Sequence, residues 1–371
     1  MEKAIEGKPN NLKETLNERA MKILLTADPE LPVPPKLYGG IERIVDLLST
    51  GLQSQGHTVA LVANPDSTNV ASVRFSWPKR RSQRLFDTFH NTIALWSIVQ
   101  KFQPDIVHSF SRIAYLTPLL RLPLPKVMSY QREPNFRTTR WGSSVARGSL
   151  TFTGCSDYIC RRGRRSSNNW HPIHNCVVLD KFPFQPQVEP DAPLVFLSRI
   201  ERIKGAHTAI AIAQKTGRRL IIAGNRVNSP EGEAYWQTEI APHLGKDNIE
   251  YVGPVDDAQK NALLGQAAAM LVPIEWNEPF GIVFAEALAC GTPVISCPTG
   301  ALPEIVRHGI DGFLVTDIGS ACEAVYNIDK ISRYSCRQRV ESHFSAEVIV
   351  KQYEGLYRSL LSPSVFRNHK A

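Results

Sequence analysis

The sequence contains no apolar run long enough to span a membrane and no closely paired cysteines. A bilayer-spanning helix needs about 20 apolar residues, so no transmembrane segment is predicted. The seven cysteines are irregularly spaced, and the nearest two, Cys155 and Cys160, are five positions apart. The C-x-x-C pairs of zinc sites are therefore missing, and an odd number of cysteines is atypical of a disulfide framework. Together these absences favour a cytoplasmic protein with reduced thiols.

Several motifs that would assign a ligand directly are also missing. No Asp-x-Asp pair occurs, and no Gly-x-Gly-x-x-Gly follows an early strand, so the sequence lacks the nicotinamide-dinucleotide fingerprint. Zinc-finger spacing and basic helices interleaved with aromatics are absent, which argues against nucleic acid as a partner. Residues 1–20 mix both charges without an apolar core, unlike a signal peptide. We expect a disordered extension over 1–20 and a short tail over 362–371.

The net charge of +8 is concentrated in the first half of the chain. Residues 1–180 contain 24 Lys and Arg against 14 Asp and Glu, whereas residues 181–371 contain 19 against 21. The basic residues cluster at 79–84, 132–147 and 161–165. A basic surface attracts an anionic membrane, a phosphorylated acceptor or nucleic acid. A solvated face that only aids solubility is the alternative interpretation.

Short apolar runs alternate with helical patterns in both halves of the chain. The predicted strands are 22–26, 57–62, 105–110, 126–130, 194–198, 219–224, 248–252, 270–273 and 293–296. Strands that alternate with helices indicate a parallel sheet covered on both faces. Residues 182–193 contain four prolines in twelve positions, which predicts a linker. The expected fold class is α/β, with two doubly wound Rossmann-like domains (21–181 and 194–345) facing a cleft and a final helix over 346–361.

The segment from Glu278 to Glu286 is the most informative part of the sequence. Its two carboxylates are eight positions apart, and every residue between them is apolar, Gly or Pro. Pro279 fits the first position of a helix that ends at Gly291. On one such helix the carboxylates would lie about 12 Å apart along one side, a spacing that suits the hydroxyls of a sugar nucleotide. Two solvated acids are the alternative, but the apolar neighbours of Glu286 predict burial, and a buried unpaired carboxylate is costly.

Two cations follow the predicted strand 194–198. Arg199 comes directly after it and Lys204 precedes the next helix. Ligands of open parallel sheets bind beyond the carboxyl ends of the strands, where helix N-termini also attract anions. These cations therefore predict a diphosphate site, and ordinary surface charges are the alternative.

Glycines stand at other strand ends. Gly39 and Gly40 open the first helix, where backbone amides can approach a phosphate or sugar, and a simple turn is the alternative. Gly253, and Gly224 with Asn225, follow later strands where a nucleotide base could rest. These are turn glycines as often as ligand contacts.

The motifs occur together in an order that resembles retaining family-four glycosyltransferases of the GT-B fold. Glu-Pro-Phe-Gly at 278–281 is followed by Glu286 and then by Ala-x-Ala-x-Gly-Thr-Pro-Val-Ile. The segments 35–42, 198–205 and 300–306 also fall in the family's order. The resemblance covers about Met21 to Leu361 and is most specific in the second half.

The resemblance implies an acceptor domain followed by a nucleotide-sugar donor domain, with the last helix crossing back to the first domain. Arg199 and Lys204 would neutralise the leaving diphosphate, and Glu286 would bind the ribose hydroxyls. Donor-sugar hydroxyls would be held by Glu278 and by the backbone of the segment that follows it, namely Pro279, Phe280 and Gly281. His108 would be a further catalytic candidate. The resemblance implies a retaining reaction with neither metal nor cofactor.

Three positions depart from the family's pattern. Ser198 stands where the family usually has Gly, and Phe110 replaces the second His of a His-x-His motif that begins at His108. A His-Gly pair is replaced by residues 130–132, Tyr-Gln-Arg. These changes predict an unusual acceptor, altered catalysis or loss of activity, and His108 itself is equally consistent with a core histidine.

The leading expectation is transfer of a hexose from a nucleotide diphosphate sugar, UDP-linked, to an acceptor glycan, lipid-linked glycan or small metabolite. The basic first half favours an anionic or lipid-associated acceptor and peripheral contact with the inner face of the membrane. The alternative is a catalytically weak nucleotide-sugar-binding partner protein. A nucleotide-sugar epimerase shares the two-domain fold but is disfavoured by the Glu278–Glu286 segment.

Overall fold

A computed structural model describes residues 19–35 and 39–362 of the chain. The predicted extension and tail lie outside these residues, except for 19–20 and Ser362. The chain forms two compact units. Within the described residues, the first comprises 19–154, 160–173 and 350–362, and the second comprises 155–159 and 174–349.

The first unit is built on a parallel sheet of seven strands in the order β3-β2-β1-β4-β5-β6-β7. The strands are β1 (Lys22–Thr26), β2 (Thr58–Ala63), β3 (Val73–Ser76), β4 (Ile106–Ser109), β5 (Lys126–Tyr130), β6 (Leu150–Gly154) and β7 (Trp170–Pro172). The helices are α1 (Gly40–Ser54), α2 (Leu85–Phe102), α3 (Phe136–Ala146) and α4 (Asp157–Gly163), with a 3₁₀ helix at Ile113–Leu119. The first three residues of α4 belong to the second unit. The strand order reverses between β1 and β4, so right-handed crossovers bring helices to both faces.

The second unit contains a parallel sheet of six strands in the order β10-β9-β8-β11-β12-β13. The strands are β8 (Leu194–Leu197), β9 (Leu220–Ala223), β10 (Ile249–Gly253), β11 (Ala269–Val272), β12 (Val294–Ser296) and β13 (Gly312–Leu314). The helices are α5 (Ala206–Thr216), α6 (Pro230–Tyr235), α7 (Asp257–Gln266), α8 (Ile282–Ala289), α9 (Leu302–Ile305), α10 (Ile318–Tyr326), α11 (Arg333–His343) and α12 (Ala346–Leu361). From Val350 onward, the residues of α12 belong to the first unit.

The prediction of two doubly wound parallel sheets is confirmed. The continuous apolar runs of β1, β8 and β11 are buried along nearly their whole length, as strands covered on both faces must be. The sequence did not predict β3, β6, β7 or β13. Burial alternates along β3, and β7 and β13 have only three residues each, so their apolar signal is weak.

Residues 182–193 are docked within the second unit. Phe182 is buried, and the amide of Gln185 donates to the carbonyl of Cys290. The Phe184 ring lies edge-on against Tyr334, with centroids 4.8 Å apart. The second unit extends from His174 through this segment, whose apolar side chains between the prolines pack within it.

Over residues 19–35 and 39–362, no helix combines the length and apolar character needed to cross a membrane.

Candidate functional site

The carboxyl ends of the second unit's strands carry most of the predicted site residues. The sheet's strand order reverses between β8 and β11, because β9 and β10 extend from one side of β8 and β12 and β13 from the other side of β11. Ligands of doubly wound sheets bind in the crevice at such a switch point. The loops that follow β8 and β11 therefore define the candidate site.

An ion pair joins these two loops. The Lys204 ammonium lies 2.6 Å from Oε2 of Glu278, and the two side chains are only 10% and 15% exposed. The same carboxylate oxygen accepts a 3.0 Å hydrogen bond from the indole of Trp276, whose ring centroid is 4.8 Å from the ammonium. The structure thus brings together Lys204 and Glu278, which are 74 positions apart in the chain.

A glycine permits this close approach of the two loops. Gly205 has a φ of +78°, and a Cβ built there would lie 2.1 Å from the carbonyl oxygen of Pro273. The amide of Glu275 donates to the carbonyl of Ile203 at 2.8 Å. A residue with a side chain at position 205 would push the loops apart and lengthen the distance between Lys204 and Glu278.

Two helices begin at this edge, and each has a glycine, which lacks a capping side chain, as its N-cap residue. The N-cap residues are Gly205 for α5 and Gly281 for α8, and neither end has a side-chain cap hydrogen bond. Elsewhere in the unit, α7, α10 and α11 are capped by the side chains of Asp256, Asp317 and Ser332. In α5 the amide of His207 donates to the Tyr235 hydroxyl at 3.1 Å. The amide of Ala206 on α5 and those of Ile282 and Val283 on α8 are left for a ligand, and with Lys204 they favour an anion.

The prediction that Pro279 begins the helix is wrong. Helix α8 begins at Ile282, because Gly281 has a φ of +86° and turns the chain before the helix. Glu278 therefore precedes the helix and does not share one of its sides with Glu286. The loop is held by the Ser156 hydroxyl, which donates to the carbonyl of Pro279 at 2.6 Å. Phe280 is buried beneath it.

Glu286 projects from the second turn of α8 and has its own cation. Its Oε1 lies 2.9 Å from the ammonium of Lys260 on α7, and the two side chains are 13% and 14% exposed. Glu286 thus keeps a small exposed surface among buried neighbours, and Lys260 compensates its charge. The chain therefore places two compensated carboxylates here, each with a lysine from another element.

Arg199 lies at the same edge but is about half exposed, and it pairs with Glu201 at 3.0 Å. An exposed cation at this edge suits a contact that forms only when an anion is bound.

The glycines that follow β9 and β10 have structural reasons to be glycine. A Cβ on Gly224 would lie 1.8 Å from the carbonyl oxygen of Ser198. The amide of Gly224 donates to the carbonyl of Gly253, which has a φ of +81°. Close packing against Ser198 thus explains Gly224, and the left-handed backbone explains Gly253, where a Cβ would meet no other atom.

A cluster of acids surrounds the start of α1 in the first unit. Gly39 has a φ of +153° and precedes Gly40, the first residue of α1. Burial, followed by the nearby Glu30 and Glu42, raises the pKa of Asp28 to about 6. Among the described residues, Oδ1 of Asp28 is buried without a hydrogen-bond partner. Arg132 and Arg112 lie close enough to oppose this rise in pKa, so the acids at this end are partly compensated.

His108 and Phe110 belong to the interior of the first unit. His108 has no exposed surface, and burial lowers its pKa to about 3, so the ring is neutral. Its ring nitrogens contact the hydroxyls of Tyr357 and Ser129. Phe110 is 4% exposed and packs against the His108 ring, with centroids 4.3 Å apart. The core-histidine alternative therefore describes His108.

Glu304 is a structural residue that the motif at 300–306 did not reveal. Its carboxylate accepts hydrogen bonds from the amides of Asp157 and Tyr158 at 2.6 and 2.8 Å, and it contacts His174 at 3.0 Å. Burial raises the pKa of Glu304, but these hydrogen bonds outweigh that effect and the net pKa is lowered. Glu304 thereby anchors the segment that carries Ser156.

Sequence reasoning also missed Lys260, Trp276 and Gly205. Lys260 and Trp276 come from elements that only the fold brings to the two carboxylates, and no motif marks them. The glycine had a detectable signal, because it follows Lys204 directly at a predicted helix start.

Comparison with known proteins extends these observations. Glycosyltransferase Family 4 matches residues 38–181, and Glycosyl transferases group 1 matches residues 180–339. Glycogen synthase of Mycobacterium tuberculosis is 25% identical over 389 residues, which cover 87% of this chain and 92% of that protein.

Solved structures resemble the fold over nearly the whole chain. A glycosyltransferase from Rickettsia africae ESF-5 has a TM-score of 0.76 at 18% identity, covering 93% of this chain and 99% of that one. Anabaena HepE in complex with UDP and glucose has a TM-score of 0.69 at 16% identity, covering 91% and 100%. With family matches over both halves and two parallel α/β sheets, the chain belongs to glycosyltransferase family 4 and is a glycosyltransferase with the GT-B fold.

Proposed function

We propose that the protein transfers a hexose from a UDP-linked sugar to an acceptor hydroxyl, with retention of configuration and without a metal. The observation that carries this proposal is the Lys204–Glu278 pair at the switch point, between two helix N-termini whose N-cap residues are glycines. The arrangement pairs a site for phosphate charge with a carboxylate for sugar hydroxyls. HepE, which shares the fold, is described as a complex with UDP and glucose, and this supports uridine as the base.

The leaving group is a nucleoside diphosphate, whose charge increases as the bond from its oxygen to the sugar carbon breaks. Lys204, Arg199 and the first amides of α5 and α8 would stabilise that charge. The ammonium of Lys204 is already held in place by Glu278, so little reorganisation is needed when the charge develops.

The two carboxylates would recognise different parts of the donor. Glu278 has a second carboxylate oxygen beyond the one that contacts Lys204 and Trp276, and a carboxylate oxygen can accept from a sugar hydroxyl. Glu286 would accept from the ribose hydroxyls, while Lys260 compensates its negative charge. Charge-assisted hydrogen bonds of this kind are directional and discriminate between sugars.

Retention follows if the acceptor oxygen attacks from the face that the diphosphate leaves. The new bond joins the acceptor oxygen to the sugar carbon, and the acceptor proton passes to an oxygen of the departing phosphate. No protein base is then required, which agrees with the burial of His108. Metal independence is proposed because the sequence lacks Asp-x-Asp and the lysines and helix ends would supply the positive charge.

A catalytically weak nucleotide-sugar-binding protein is the second candidate function. It is favoured by Phe110, which occupies the place of the second His of a His-x-His motif and lies in the core.

The acceptor of the proposed transferase would be a glycan, a lipid-linked glycan or a small metabolite. The basic first half favours an anionic or lipid-associated acceptor.

The test is release of UDP from UDP-glucose, UDP-galactose and UDP-N-acetylglucosamine, with and without EDTA. If the protein is a transferase, one donor should be hydrolysed slowly in the absence of an acceptor. EDTA should leave the rate of this hydrolysis unchanged, and Lys204→Met should abolish it. Tight UDP binding without hydrolysis of any donor would favour the second candidate. Hydrolysis that stops with EDTA would contradict metal independence.

A further inference from the structure

Helix α2 of the first unit has a second apolar face that is exposed. Five large apolar side chains on it remain in solvent, although the opposite side of the helix packs into the core. Their exposed fractions are Leu85 89%, Phe86 65%, Phe89 61%, Ile93 51% and Trp96 36%. The core side consists of Asn91, Leu95, Ile98, Val99 and Phe102.

The exposed residues form one continuous stripe. At about 100° per residue they fall within an arc of about 100°, and they span about 17 Å along the axis. The buried residues centre on the other side of the helix. Monomeric proteins rarely leave a patch of this kind uncovered, and a stripe with aromatic residues is typical of a surface that binds something.

Basic residues flank this stripe. Lys79, Arg80, Arg81 and Arg84 precede the helix, and Lys101 lies in its last turn. The Lys79 ammonium lies 5.6 Å from the centroid of the Phe86 ring, so one cation is directly beside the apolar surface. Arg81 and Arg84 are exposed, whereas Arg80 pairs with Asp66.

Acidic residues are nearly absent from the same stretch. Asp87 is the one acid between positions 79 and 102, and it is placed about 100° beyond the edge of the stripe.

The neighbouring helix α3 has a similar character. Both α2 and α3 pack against the 3₁₀ helix at Ile113–Leu119. On α3, Phe136 and Trp141 are 36% and 46% exposed, and Arg137 and Arg140 are exposed beside them. Exposed aromatic and basic residues thus recur on a second element of the same unit.

We propose that the outer face of α2 docks onto an anionic membrane surface, with the stripe inserted at the boundary between headgroups and acyl chains. An interfacial helix combines Phe, Trp and Leu on one face with flanking Lys and Arg. Its affinity for the membrane has two contributions, the burial of apolar area and the attraction of its cations to anionic lipids. A second copy of the chain fits less well, because it would bring two basic clusters together. Membrane docking goes beyond the proposed transferase function, since the donor site lies in the second unit.

The experiment is flotation of the full chain with vesicles of phosphatidylcholine, with and without phosphatidylglycerol. The wild type should float with the anionic vesicles and lose most of this binding at high salt, because salt screens the basic cluster. Phe89→Glu should weaken partitioning about tenfold or more, since it replaces an aromatic side chain that would insert into the membrane by a charge. Arg84→Gln should weaken it about fivefold on anionic vesicles only.

The matched control is Val70→Glu. Val70 is 70% exposed in the same unit but lies outside α2, so this substitution adds the same charge without changing the stripe. It should float like the wild type, and circular dichroism should show that every variant is folded.

Absence of flotation of the wild type would overturn the proposal, as would equal flotation of Phe89→Glu. Light scattering without vesicles tests the alternative that a second copy of the chain covers this face. A wild-type dimer that Phe89→Glu dissociates, with no flotation of either protein, would assign the face to a contact between copies and also overturn the proposal.

Discussion

Replacing Glu278 by Gln is expected to strengthen the binding of UDP. In the structure the Lys204 ammonium is neutralised by the Glu278 carboxylate at 2.6 Å. A bound diphosphate must share that ammonium with the carboxylate. Removing the negative charge leaves the lysine fully available to the phosphates, while the amide of Gln retains a hydrogen-bonding group of similar size.

The expected magnitude follows from the geometry. Two unit charges at this distance attract by roughly 6 kcal/mol at an effective dielectric constant of about 20. The side chains are 10% and 15% exposed, and desolvation and solvent screening offset most of that attraction. If about a quarter of it is regained as phosphate affinity, UDP binds about 1–2 kcal/mol more tightly, or roughly five- to thirtyfold.

Isothermal titration of UDP into the wild type, Glu278→Gln and Lys204→Met provides the measurement. Lys204→Met should lose affinity, because the carboxylate is then left uncompensated near the phosphates. The matched control is Glu275→Gln. Glu275 lies in the same loop as Glu278, but its carboxylate pairs with His207 and not with Lys204. Equal loss of affinity in Glu278→Gln and Lys204→Met would refute the reasoning, since the carboxylate would then be required to hold the lysine.

Three further predictions concern the other carboxylates. Glu286→Ala should weaken UDP binding by about 1–3 kcal/mol in titration calorimetry, while Glu250→Ala, which removes an exposed carboxylate from β10, should not. Burial raises the pKa of Asp28 from 3.8 to about 6, so its ionisation destabilises the fold as the pH rises through that range. Asp28→Asn should thus stabilise the protein by roughly 2–3 kcal/mol at pH 7.5 and little at pH 4 in thermal unfolding, and equal gains would contradict this. The lowered pKa of Glu304 stabilises the fold above the carboxyl's ordinary pKa, and this stability is lost on acidification. Glu304→Gln should cost about 1–3 kcal/mol at neutral pH, unlike the exposed Glu341→Gln, and an unchanged melting temperature would remove Glu304 from this role.

The fold was predictable where apolar runs are long and buried. The strands at 22–26 and 126–130 were predicted with the bounds that the structure gives. The spacing of apolar residues and the local composition are enough to predict such strands. Short strands such as β7 and β13 are defined by hydrogen bonds to neighbouring strands, and this pairing leaves no pattern in their own sequence.

The candidate site was predictable as a set of residues but not as an arrangement. Position after a strand was enough to place Lys204 at the correct sheet edge. The helix signal of Pro279 was misleading, because the left-handed conformation of Gly281 delays the helix by three residues. The partners of the carboxylates, Lys260 and Trp276, depend on tertiary contacts between separate elements. Electrostatic compensation of this kind leaves no local pattern in a sequence.

The central claim, a nucleoside diphosphate site at the switch point of the second unit, is tested most directly by thermal shift with UDP, ADP and GDP. Arg199→Ala is the informative variant, because Arg199 is about half exposed and its loss should leave the fold intact. The account predicts that UDP raises the melting temperature of the wild type and that the shift is strongly reduced in Arg199→Ala. A wild type that none of the three diphosphates stabilises would contradict the account.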